Sequence, residues 1–452
     1  MNLLKKITDK KILYIFTLCI IILIPVLKQT SFYLVAYKVI NNYDSIKTVY
    51  VLYFSIPFLI YIYIKNLVRT KRKLYIYDYL FYILIFAGVI ATIFSIDKNI
   101  SLLGKEYRHE GFLSVLTYYL LFITWKVEGT KEDIKKIIKI LVVFTVFNCL
   151  YALLQIYTPF RFILRYGPDK QMASGISCNP NFFGSVIVTV LSIITAKFLY
   201  NKKVDIKEIF LIILMFISLI NCQSTGPFLT YIITIVFLII YLIIKKKLIL
   251  KKMIYLILIC IITYLFLFQI NKRVFEIERC ELCDVNNAIN NNVENQSNIN
   301  AISNTNDITN GRIDIWKKSL NIVKENPING VGFDNFHLAY YKGENLTQVI
   351  FMTVDGKQKA YKKYPEIIDN AHNVYLHTLV STGLLGLIPY LILCLYTFIR
   401  GLKTKDNLVI MLLGGFVAYS IQAFGNISVI QVAPIYYIII GLILSQKTIT
   451  NK

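Results

Sequence analysis

Apolar blocks close to the length of a membrane crossing recur along almost the whole chain, and this repetition leaves few folds open. A helix needs about 20 apolar residues to cross a hydrocarbon core about 30 Å thick, and it satisfies its own backbone hydrogen bonds on the way. Such blocks fall at 12–27, 49–64, 74–96, 112–125, 140–157, 179–196, 209–221, 227–244, 253–270, 374–399, 407–424 and 430–445. The run 209–244 would be about 54 Å long as one helix, too long for a single crossing. The polar stretch Asn221-Cys222-Gln223-Ser224-Thr225-Gly226-Pro227 divides it as a hairpin turn. The pattern predicts an all-α, polytopic transmembrane bundle of about 12 spans. Nine helices are expected within 1–270, a large extracytoplasmic loop containing short helices over 271–373, and three helices within 374–452.

Composition agrees with a chain solvated by lipid. Hydrophobic residues make up 56% and charged residues only 17% of the 452 positions, against about a quarter charged in soluble domains. A net charge of +23 would suggest nucleic acid in a soluble protein. Here Lys and Arg cluster in short runs between apolar blocks, which marks cytoplasmic connections. With the N-terminus inside, the inner connections are 1–11, 65–73, 126–139, 197–208, 245–252, 400–406 and 446–452; they hold more than half of the 49 Lys and Arg residues. Both termini are therefore expected in the cytoplasm and the large loop outside, with the lipid bilayer as partner and no role for nucleic acid. No small-residue cleavage site follows Pro25, so the first block reads as a spanning helix rather than a removed signal.

Within the large loop, 284–311 is Asn-rich and of low complexity, with too few bulky apolar residues to offset the entropy of ordering. The stretch 312–373 is expected to fold. Ile313, Trp316, Leu320 and Val323 recur at helical spacing until Asn326-Pro327 ends the run. Cys19, Cys149, Cys222, Cys260 and Cys394 lie in or beside apolar blocks and read as packing residues. Cys280 and Cys283 form a lone CxxC without a second ligand pair, which argues against zinc and leaves a local disulfide or two thiols.

The spans are almost free of ionisable groups, so chemistry is expected at the membrane surface. All four histidines, His109, His337, His372 and His377, fall on or near the outer face. A lone histidine is most often structural. His372 stands out in Asp369-Asn370-Ala371-His372-Asn373: if that segment is helical, Asp369 shares a face with the imidazole, orients it and raises its basicity for general-base catalysis. Outer arginines form the second constellation: Arg108, with Lys105 beside it, and Arg161, Arg165 and Arg312. Their forked guanidinium suits phosphate oxygens; the competing reading is anchorage to lipid headgroups. Neither face carries an acidic DxD pair or a His/Cys cluster at metal spacing, so no metal or other cofactor is expected.

Taken in order, Gly311-Arg312 with Trp316, Asn326-Pro327-Ile328-Asn329-Gly330-Val331-Gly332-Phe333, Ala371-His372-Asn373, Leu376 and Gly383-Leu384-Leu385-Gly386 resemble the signature region of the O-antigen ligase and O-antigen polymerase family of bacterial membrane proteins. Gly104 to Gly111 and Asn179-Pro180-Asn181 also look like family features. One departure is that relatives often open the eighth span with Ser-Arg, whereas this chain has Ser224-Thr225-Gly226-Pro227, leaving Arg108 or Arg165 to compensate. The resemblance implies a glycosyltransferase of the cell membrane. It would move a glycan from a polyprenyl-diphosphate oligosaccharide donor to a hydroxyl of a glycan or other envelope acceptor. In that role His372 and Asp369 would be catalytic. Arg108, Arg312, Arg165 and Lys105 would bind the diphosphate, and Asn373, His377 and His337 would position substrates. Polymerase and ligase both stay open. The alternative from another class is a transporter or flippase of a lipid-linked or small anionic substrate, whose polar path would have to use Asn148, Gln155, Asn221 and Gln269.

Overall fold

The computed structural model of the chain describes residues 9–28, 49–70, 74–105, 108–158, 172–177, 179–290, 311–343, 348–354, 357–363 and 368–445. Its helices are α1 (Asp9–Lys28, with a π-helical turn at Cys19–Leu23), α2 (Tyr50–Thr70), α3 (Ile76–Ile93), α4 (Lys98–Leu103), α5 (Phe112–Glu128) and α6 (Lys131–Tyr157). Next come α7 (Pro180–Tyr200), α8 (Ile206–Asn221), α9 (Thr225–Ile244), α10 (Leu250–Asn290), α11 (Arg312–Glu325) and α12 (Phe336–Tyr340). A two-stranded antiparallel ribbon follows, β1 (Gln348–Val354) with β2 (Lys357–Lys363), Gln348 opposite Lys363. The chain ends with α13 (Val374–Lys403), α14 (Asn407–Gln422) and α15 (Ala433–Leu444).

This is an integral membrane protein, and its described residues form helices apart from the ribbon and connecting turns. Among the described residues eight helices are long and apolar enough to cross a bilayer: α1, α2, α3, α6, α7, α9, the Leu250–Ile270 part of α10, and α13. The four other expected spans form as helices of 17 (α5), 16 (α8), 16 (α14) and 12 (α15) residues. At 1.5 Å per residue the last rises only about 18 Å, so those four do not reach crossing length by themselves. Two boundaries move for clear reasons. The third expected span stops at Ile93, and Asp97 then caps the separate short helix α4, its carboxylate accepting from Ile100 N. The fifth begins at Lys131, because Thr130 and Asp133 form a reciprocal capping box.

Helix α7 lies at the centre, with 94% of its apolar window buried, and packs against α8, α9 and α14. The contact with α14 is backbone-close: Gly414 and Gly415 sit against Ser192, Thr189 and Ile193, the small-residue packing that lets helices associate where the hydrophobic effect does not drive them together. Asp78, within the third expected span, and Lys126, at the start of the expected inner connection 126–139, are fully buried together at 3.0 Å, with the ammonium 4.1 Å from the Tyr77 ring centroid.

The expected outer loop departs from its sequence reading at three places. α10 runs on past residue 270 to Asn290; of the Asn-rich stretch 284–311, residues 291–310 lie outside the described residues. α11 buries Ile315, Ser319 and Ile322, whereas Ile313 and Leu320 of the expected apolar stripe are exposed. The stripe lies between two faces, and the face carrying the small Ser319 is the one α13 accepts. The ribbon had no counterpart in the sequence reading.

Candidate functional site

Three backbone constructions meet at the N-terminal end of α13. The first is the turn between Gly104 and Gly111. Gly104 has φ +86°, and a Cβ on either glycine would overlap the backbone of the other limb. The limbs therefore touch, and the turn projects Arg108. A single carboxylate oxygen of Asp334 closes it from within, accepting from the amides of Lys105 (2.9 Å) and Glu110 (3.0 Å).

The second construction is the Pro327–Asn335 loop docked on a break in α13. Gly383 has φ +61° and ψ −164°, a conformation nearly restricted to glycine. On either side of the break, Val331 N donates to Val380 O and Gly332 N to Ser381 O, both at 2.9 Å. Leu384 N and Leu385 N donate to Pro327 O and Ile328 O. The loop thus supplies the partners that an unbroken helix would find in itself. Phe333 stacks on Phe112, and Asn335 pairs with the backbone of Asp97 in both directions.

The third is the turn 369–373. It is not helical: His372 has φ +50°, and α13 starts at Val374 with the Asn373 side chain accepting from Leu376 N. The Trp316 indole donates to Ala371 O at 2.9 Å, and Asn370 Oδ1 accepts from His372 N. Trp316 thereby fastens α11, which carries Arg312, to the turn that carries His372.

This geometry corrects the expected Asp369–His372 pairing. With no helix over 369–372, Asp369 is clamped by Arg108, Nε at 2.7 Å to one oxygen and Nη2 at 3.0 Å to the other. The Arg108 guanidinium also lies 5.9 Å from the Phe182 ring centroid. Burial raises the Asp369 carboxyl while Arg108 and Lys105 more than offset it, so it sits below its ordinary range. His372 is half-buried; burial first, then Arg312 and Arg108, hold its imidazole below its ordinary value, with Asp369 opposing. Arg312 is half-buried, has no hydrogen-bond or ion-pair partner among the described residues, and passes 3.5 Å from where a Cβ on Gly425 would sit.

Lys105, Arg108, Arg312, His337, Asp369, His372 and His377 thus fall into one neighbourhood. Burial and Lys105 lower His337, and the His377 ring lies 5.7 Å from that of Phe336 with its Nδ1 buried and unpartnered among the described residues. Asn373 serves as the cap of α13. Arg161 and Arg165 lie outside the described residues, as do the side chains of Cys280 and Cys283. A small pocket of mixed lining, with room for little more than a water molecule, lies between Phe182, Ser185, Val374, Gln422, Asn426 and Ile427, and its Phe182 wall is the ring that Arg108 approaches.

Two acids at the site were not singled out from sequence. Glu110 is buried, accepting from the hydroxyls of Tyr118 (2.7 Å) and Ser428 (2.9 Å). Desolvation pushes it up to about 7, and Asp334, also chiefly by burial, up to about 6. Apart from Tyr118, their partners lie more than 200 positions away in sequence: Ser428 for Glu110, and the amides of Lys105 and Glu110 for Asp334, and no local pattern announces such a pairing. Among the described residues no group of three His, Cys, Asp or Glu side chains is arranged to hold a metal.

Three of the polar groups that a transport path would need are engaged through their amide oxygens, while the Nδ2 atoms of Asn148 and Asn221 are buried and unpartnered among the described residues. Asn148 Oδ1 accepts from Ile176 N, Gln155 Oε1 from Gly175 N, and Asn221 Oδ1 from the Tyr157 hydroxyl. They hold the 173–177 turn against α6 and α8, and Gln269 is exposed on the outer surface of α10.

No curated protein matches the chain. A family model described as O-antigen ligase matches residues 210–391, which include Arg312, the docked loop, Asp369, His372 and the break in α13. Over that segment the chain is similar to the O-antigen ligase family.

Proposed function

We propose that the protein is a membrane glycan ligase or polymerase that takes a glycan from a polyprenyl-diphosphate carrier on the outer face of the cytoplasmic membrane. The observation that carries this reading is the convergence of Arg108 and Arg312 on His372, with Lys105 acting on the neighbouring Asp369. A lipid-linked diphosphate needs a cationic cradle, and fixed cations stabilise the charge that develops as it leaves. The acceptor hydroxyl attacks the anomeric carbon, and the sugar–phosphate bond breaks. The electron pair departs with the polyprenyl diphosphate, and the hydroxyl proton passes to His372. An imidazole kept neutral by burial and neighbouring cations is suited to that task. The diphosphate is already a good leaving group, so arginine electrostatics suffice and the reaction is metal-independent in this account.

Twelve crossings, both termini in the cytoplasm and an outer loop are the topology this reading adopts, with the four shorter helices completing the bundle. The positive bias of the expected inner connections supports it. The transporter alternative is not favoured, since Asn148, Gln155 and Asn221 are committed to holding a turn. The test is incubation of purified full-length protein with a synthetic polyprenyl-diphosphate oligosaccharide, with products read by mass spectrometry. Extended or transferred glycan is expected; scrambling of the lipid in liposomes without change in glycan length would favour transport.

A further inference from the structure

Among the ion pairs of the described residues, two have opposite character. Asp78 and Lys126 are both 0% exposed, a pair that no ligand reaches. Arg108 and Asp369 are 17% and 21% exposed, within the cationic neighbourhood. The Arg108 fork meets both carboxylate oxygens, the geometry in which guanidinium also binds two oxygens of a phosphate. Arg312 stands half-buried nearby with no such partner among the described residues. Asp369 faces two imidazoles, His372 and His377, and hydrogen-bonds to neither.

We propose that Asp369 is an internal stand-in for phosphate: in the donor-free protein its carboxylate fills the fork of Arg108, and the donor's diphosphate displaces it toward His372 and His377. The idea rests on the diphosphate reading of the site and deepens it, because it says how the Arg108 fork is occupied before the donor arrives. Arg312, open from the start, takes the first phosphate contact; Arg108 takes the second once Asp369 has left. A monoanion replaces Asp369 poorly, whereas a diphosphate bridging Arg312 and Arg108 gains two forks at once. Displacement also delivers a negative charge to the histidines when a base is needed, so donor binding and base activation are coupled.

The probe is inorganic pyrophosphate titrated into the full-length protein in nanodiscs. If the pair is closed about nine-tenths of the time, apparent affinity is reduced about tenfold, and removing the carboxylate restores it. D369N should therefore bind pyrophosphate about tenfold more tightly than wild type while turning over more slowly. The gain should vanish in the R108A background, where D369N adds nothing. Weaker or unchanged binding by D369N would overturn the proposal, since a carboxylate that merely holds Arg108 in place would give that result. A measurement on wild type stands independently of how the variant folds: the infrared carboxylate band assigned to labelled aspartate should shift on adding pyrophosphate, and a constant band contradicts the exchange. Should the wild type yield no glycan product while D369N still tightens pyrophosphate binding, the glycan-transfer reading falls and the exchange stands.

Discussion

At the scale of single residues, the account depends on an imidazole and a guanidinium held to one neighbourhood by their own backbones. His372→Ala removes the base and should lower glycan transfer by about a hundredfold or more, with protein level and insertion unchanged on immunoblots of membranes. Arg312→Ala should cost a similar factor, measured with the same synthetic donor. The two differ in pH dependence. In the proposed mechanism His372 works as the neutral base, and its protonation is displaced below the ordinary value of about 6.5 by burial and then by Arg312 and Arg108. The kcat/KM profile should therefore rise through a point below pH 6.5 and stay flat above it. In Arg312→Ala the rising limb should move upward, because one opposing charge is gone. Glu110 gives the opposite signature in stability. Its pKa is raised from 4.5 to about 7 on folding, so the folded state binds the extra proton and stability falls as pH rises between those values. Glu110→Gln should melt higher than wild type at pH 8 and no higher at pH 4, as followed by thermal unfolding in detergent.

At the scale of elements, the docked loop and the broken helix are one device. A Cβ at Gly383 would overlap the Ile328 carbonyl, and the backbone there is in a region that costs other residues about 1–3 kcal/mol. Gly383→Ala should destabilise the protein by that order and disable transfer, since Val331, Gly332, Leu384 and Leu385 would lose backbone partners together. Trp316→Phe keeps the packing and deletes only the hydrogen bond to Ala371 O. About 1 kcal/mol of stability is expected to go, with a larger effect on turnover than on melting because the bond orients the His372 turn. The sequence showed the pieces of this device without the join. Asn326 to Phe333 and Gly383 to Gly386 were legible as a set through the family resemblance, but the physical reason for their co-occurrence is backbone pairing across about fifty residues. The same holds for the Gly104–Gly111 turn, whose closure needs the Asp334 carboxylate. Asp369 was assigned to His372 because spacing alone assumes a helix. Asn373 starts the helix four residues later than that pairing requires, and this freed Asp369 for Arg108.

For the molecule as a whole, hydropathy carried most of the architecture. Every expected span has a helix, because a segment that satisfies its own backbone in lipid leaves a strong one-dimensional signal. Lengths were less legible: α14 stops at Gln422 and α15 starts only at Ala433, because the loop 423–432 takes up residues that hydropathy alone assigns to the ends of both spans. The pairing of Asp78 with Lys126 inside the bundle was hidden because its partners lie 48 positions apart on different helices. Orientation is a consequence of the proposed function and can be checked on the intact chain. A single cysteine placed at 372 in a cysteine-free background should react with a membrane-impermeant maleimide in whole cells, and one placed at 203 should react only after permeabilisation.

The measurement closest to the central claim counts the leaving group. Full-length protein in nanodiscs, given a polyprenyl-diphosphate oligosaccharide and an acceptor glycan, should release one polyprenyl diphosphate for each glycosidic bond formed, and both should fall together by about a hundredfold with the His372→Ala or Arg312→Ala variants. Bond formation without released polyprenyl diphosphate, or full activity in both variants, would contradict the account.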